Sequence, residues 1–94
     1  MPFALCTMKF KIDRAESLKE KRTILSGLLT RLKKCNLSVI ESGSQDLHNQ
    51  IELRLAMLRS TQSQIDRDLK AISDMIEQVF PHLDLYAFER EYYL

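Results

Sequence analysis

The chain reads as an α+β fold, a ferredoxin-like βαββαβ sandwich with two helices on one face of a four-stranded antiparallel sheet ordered 4-1-3-2. Three observations predict it. Segments of period-two apolar alternation and segments of helical spacing follow one another as strand, helix, strand, strand, helix, strand. Two capping boxes, Ser17-Leu18-Lys19-Glu20 and Thr61-Gln62-Ser63-Gln64, open the helical segments 44 residues apart, so the halves form a pseudo-repeat. Each half offers one apolar strand face and one apolar helix stripe, and right-handed crossovers bury all four surfaces together. Residues 1–94 are expected to form one domain.

The elements follow in order. Residues 3–12 alternate, with Ala4, Cys6, Met8, Phe10 and Ile12 on one face, and Phe3, Leu5, Thr7, Lys9 and Lys11 on the other. Ser17 caps a helix whose stripe is Leu18, Ile24, Leu25, Leu28, Leu29 and Leu32. Lys33 and Lys34 suit the negative end of its dipole, and Asn36 ends it. Residues 37–42 form a second strand with Leu37 and Val39 inward. Gly43 to Gln50 is a polar hairpin connection. Ile51, Leu53, Leu55 and Met57 mark the inward face of the third strand. Ile65, Leu69, Ile72, Ile76, Val79 and Phe80 mark the second helix, which Pro81 stops. Leu83 to Tyr93 closes the sheet, with a register that the sequence leaves open.

Composition excludes several classes. With 45% hydrophobic and 29% charged residues the chain is globular. Two glycines, Gly27 and Gly43, cannot make a phosphate-cradling loop, and no other cofactor motif is present. No run approaches the length of a membrane span, and the first charge, Lys9, comes too late for the basic start of a secretory signal. Cys6 and Cys35 give no disulfide framework and fit the reducing cytoplasm. The two histidines and two cysteines are too scattered for zinc, and Asp46 with His48 would supply only half a site, so no metal is expected. No nucleophile, base and orienting group share a recognisable spacing, so no catalytic residue is assigned and the chain is not expected to be an enzyme.

Charge is unevenly spread. The net value is +1, but residues 1–34 carry nine cations against three acids and residues 35–94 five against ten. A basic region of this kind suits an anionic partner, and RNA is the first candidate. Lys9, Lys11, Lys19, Arg22, Lys33 and Lys34 are the residues expected to meet its phosphates. The third strand presents Glu52, Arg54, Ala56 and Leu58 outward, with no aromatic, so stacking of bases on the sheet is not expected.

Lys21 breaks the pattern, because it falls inside the apolar arc of the first helix. Glu41 continues the inward register of Leu37 and Val39. In the predicted fold the start of the helix overlies the far end of that strand, so the two charges are expected to pair, with Gln45 and Asp46 nearby. An enzymatic pocket at this end is a further reading. A protein–protein module is another: Phe3 and Leu5 should lie beside Ala56, Leu58 and the tyrosine-rich end of the last strand, making half of the open sheet face apolar. Such a patch suits a homodimer.

The stretches Ser17-Leu18-Lys19-Glu20-Lys21-Arg22, Leu37-Ser38-Val39-Ile40-Glu41 and Gln45-Asp46-Leu47 resemble the YlxP-like family of small bacterial proteins of unknown function. The resemblance covers nearly the whole chain and implies the same fold. The family's genes tend to lie beside those for translation initiation factor two and ribosome-binding factor A, which implies a place near the ribosome. The chain departs from the pattern where the family usually has Asp, Trp, Arg and a small residue, at Gly43, His48, Gln50 and Arg54. These changes cluster in and after the hairpin, so a partner contact made there would differ in this chain.

Overall fold

A computed structural model describes residues 1–13, 17–44 and 46–94. Its elements are β1 (Phe3–Ile12), α1 (Leu18–Lys33), β2 (Ser38–Glu41), β3 (Gln50–Leu58), α2 (Gln62–Val79) and β4 (Leu83–Tyr93). The sheet runs β2-β3-β1-β4 with every neighbouring pair antiparallel, which is the expected ferredoxin-like order.

One sheet face carries the core. Ala4, Cys6, Met8 and Phe10 of β1 and Ile51, Leu53, Leu55 and Met57 of β3 pack against Leu25, Leu28 and Leu32 of α1 and Ile65, Leu69, Ile72 and Ile76 of α2. Cys6 is part of this layer, and burial pushes its thiol pKa up, opposed by the Arg90 charge, so it behaves as a small apolar side chain. Two stripe residues depart from expectation. Leu18 is 43% exposed and Val79 is 38% exposed. They are the first and last residues of their helices, where packing neighbours lie on one side only.

The caps act locally. Thr61 and Gln64 form a reciprocal capping box at the start of α2. At α1 the Ser17 hydroxyl accepts from the Glu20 amide, 3.2 Å away. Asn36 follows the helix with φ 57°, the left-handed turn that asparagine tolerates. β4 contains an irregularity: Lys9 lies opposite Ala87 but Phe10 opposite Leu85, so Tyr86 is an extra residue. It lies beneath the Lys11 ammonium, 5.4 Å from the ring centroid.

Candidate functional site

Three places merit a chemical reading. The first is Lys21, 1% exposed in the core-facing arc of α1. Its ammonium donates to the Ser44 carbonyl at 2.6 Å and the Leu47 carbonyl at 2.8 Å, and lies 3.7 Å from a Glu41 oxygen. The expected pair with Glu41 is present, and the two carbonyls were not anticipated. Gly43 at φ 70° and Ser44 at φ 55° turn the backbone here. The positive φ is what favours glycine at Gly43; a Cβ there would also lie 2.9 Å from the movable Glu52 carboxylate, which accepts from the Ser42 hydroxyl. Asp46 is exposed, and so is His48. Gln45 lies outside the described residues. With two carbonyls accepting its hydrogens and the Glu41 carboxylate close by, Lys21 serves as a clamp on the β2–β3 connection.

Arg59, which the sequence reading passed over, is the counterpart at the other end. Its guanidinium bonds Asp68 of α2 at 2.7 Å and the carbonyls of Cys35, Asn36 and Leu58 at 2.9–3.0 Å. It ties the α1–β2 turn to α2. Position after a strand was its only signal, since the acceptors are mostly backbone groups present at every residue.

The second place is the outward side of α1. Lys19, Arg22 and Lys33 are exposed and fall within about 60° of one another at 100° per residue. Thr23, Ser26 and Thr30 are exposed between them. From Lys19 to Lys33 the flank is about 21 Å long. Among the described residues none of these three cations, nor Lys34, makes an ion pair. Asp66, Asp68 and Asp74 of α2 have partners of their own: Asp68 meets Arg59 and Arg67, Asp74 meets Lys70, and Asp66 accepts from the Tyr92 hydroxyl at 2.6 Å. That hydrogen bond, with burial, raises the Tyr92 pKa.

The structure separates Lys9 and Lys11 from this flank. They stand on the open sheet face, away from the helices, with Lys9 opposite Glu52 and Lys11 opposite Asp84. Mixed charge surrounds them. The six cations therefore form two groups, and only the α1 group stands clear of the carboxylates of the sheet.

The third place is the apolar half of that open face. Phe3 pairs with Leu58 and Tyr93, and Leu5 with Ala56, as expected; on its other side Leu5 pairs with Glu91, a charge not expected within this half. The Phe3 and Tyr93 rings stack with centroids 4.7 Å apart. Ile40, on the neighbouring edge strand, is 63% exposed and extends the patch. A shallow hollow of about 300 Å³ lies between Leu5, Ile40, Arg54 and Ala56. β4 runs beside Phe3 to its end and does not fold across the face.

Comparison with known proteins adds the family. A family model described as a protein of unknown function, DUF503, matches residues 3–90. The chain belongs to the DUF503 family. It is 32% identical over 80 residues to the uncharacterized protein YlxP of Bacillus subtilis (strain 168), covering 84% of this chain and 86% of that one. The YlxP-like resemblance read from the Ser-Leu-Lys-Glu-Lys-Arg stretch is thereby shown. Among solved structures, the de novo designed protein Foldit4 superposes with TM-score 0.57 at 10% identity, covering 100% of this chain and 98% of that chain. A Thermus thermophilus protein described as PII-like and signalling gives TM-score 0.50 at 20% identity, over 100% of this chain and 90% of that chain. These likenesses establish the fold. No helix among the described residues is long and apolar enough to cross a membrane.

Proposed function

We propose that this chain is a non-enzymatic cytoplasmic protein that docks on RNA, in a ribosomal particle, through the outward flank of α1. The carrying observation is that, among the described residues, Lys19, Arg22, Lys33 and Lys34 are exposed and make no ion pair, while Asp66, Asp68 and Asp74 of α2 are engaged elsewhere. Cations held on a rigid helix match a run of phosphates, and the Ser26 hydroxyl between them adds a hydrogen-bonding group, the Thr23 and Thr30 hydroxyls being donated to the Lys19 and Ser26 carbonyls. Base stacking on the sheet has little support, because Phe3 is already stacked on Tyr93. The gene neighbourhood implied by the YlxP-like resemblance points the same way. Lys9 and Lys11, set among carboxylates on the other face, are secondary contacts at most. An enzymatic pocket at the Lys21 end loses support, since that ammonium is buried and donates to two backbone carbonyls.

The test is co-sedimentation with ribosomal particles, followed by binding to RNA across a salt series. Affinity is expected to fall steeply with salt as neutralised phosphates release counterions. Replacing Lys19, Arg22 and Lys33 together by glutamine should reduce the slope of log affinity against log salt by roughly 2 to 3. The melting temperature should stay nearly unchanged, because these side chains hold nothing in the fold. Absence of binding at about 50 mM salt, where electrostatic association is strong, refutes the proposal.

A further inference from the structure

We infer that the open sheet face is the interface of a two-fold symmetric homodimer, with Arg54 of each copy over Glu89 of the other. The observation behind it is independent of the α1 flank. Across the open face, side chains stand in rows set by the strand register. The first row is Leu58, Phe3, Tyr93; the second Ala56, Leu5, Glu91; the third Arg54, Thr7, Glu89. β1 is the middle column. Within these rows Arg54 stands on the β3 side and Glu89 and Glu91 on the β4 side, while Glu52 of β3 lies one row further along. Among the described residues, Arg54 and Glu89 make no ion pair within their own chain.

This arrangement is self-complementary under one symmetry operation. A two-fold axis lying between two facing sheets and running along β1 exchanges the β3 and β4 sides. It sets Phe3 on Phe3, Leu5 on Leu5 and Leu58 on Tyr93, and it brings Arg54 onto Glu89 twice. Facing sheets cross at about 30°. With the crossing at Leu5, the two Lys11 ends diverge by roughly 10 Å at the strand rise, so like charges are carried apart. A partner of unrelated sequence would have no reason to match a cation and an anion placed in one row on either side of one strand.

Size fits a weak association. The axis overlays β3, β1 and β4 and leaves the short β2 uncovered. Three strands about 4.8 Å apart and about ten residues long make a face of roughly 480 Å², so two copies would bury roughly 950 Å², the size of weak, transient interfaces. The association is thus expected to be weak and concentration-dependent, with the stacked Phe3 and Tyr93 rings as its anchor.

Sedimentation velocity from low-micromolar to millimolar concentration tests this directly. The chain should pass from monomer to dimer, and should do so in high salt that abolishes binding by the α1 flank. Leu58→Asp, on a residue 57% exposed, should abolish the dimer and leave the circular dichroism spectrum of the monomer intact. Arg54→Glu and Glu89→Arg should each weaken it at least tenfold, and the two changes in one chain should restore it. A monomer at every concentration overturns the proposal. So does a dimer indifferent to Leu58→Asp, or a double charge exchange that restores nothing.

Discussion

Truncating Lys21 to alanine leaves the Ser44 and Leu47 carbonyls and the Glu41 carboxylate facing the space its stem filled. Removing one member of a buried charge pair costs about 3–5 kcal/mol. Lys21→Met keeps most of the stem and loses only the ammonium, so it should cost less than Lys21→Ala. Urea denaturation of both variants checks the order, and a loss under about 1 kcal/mol for Lys21→Ala, the range of an exposed pair, would contradict the clamp. The Lys21–Glu41 pair was legible in the sequence because both charges sit on apolar registers, one helical and one extended. Its carbonyl partners were not. Every residue has a carbonyl, and the loop path that aims these two depends on positive φ at Gly43 and Ser44, of which only the glycine is a sequence signal. Arg59 was missed for the same reason.

Among the elements, α1 carries an avoidable weakness. Gly27 lies in its interior, where glycine costs roughly 1 kcal/mol relative to alanine. A Cβ there would meet only the Phe80 ring at 3.7 Å, an ordinary contact. Gly27→Ala should therefore raise stability by about 0.5–1 kcal/mol, read as a shift in the urea midpoint; a loss would show that α1 and Phe80 pack too closely for a methyl group. Alternation placed β1 and both ends of β4 correctly. It served the hairpin less well: β2 spans Ser38–Glu41 rather than residues 37–42, and β3 starts one residue earlier, at Gln50. The β4 irregularity was hidden because Leu85, Tyr86, Ala87 and Phe88 are all apolar and show no alternation. Register there is decided by pairing with β1, which no local pattern reports.

For the molecule as a whole, the charge imbalance along the chain becomes a separation in space only in part. The α1 flank keeps its cations, whereas Lys9 and Lys11 are interleaved with acids on the far side. Linear charge counts see the first fact and not the second. The strand order has a different consequence, in how the chain folds. α1 joins β1 to β2, yet β3 lies between them; α2 joins β3 to β4, yet β1 lies between them. Neither half can complete its own sheet, because each needs a strand of the other to fill its gap. Peptides 1–43 and 44–94 should each be unfolded by circular dichroism and should recover the native spectrum when mixed. The intact chain should unfold in one transition with no populated half, and its slowest-exchanging amides should lie in the two inner strands. A folded half would show that the interleaving is not obligatory. The pseudo-repeat visible in the sequence is thus no pair of modules: each copy is a piece that becomes stable only by threading through its twin.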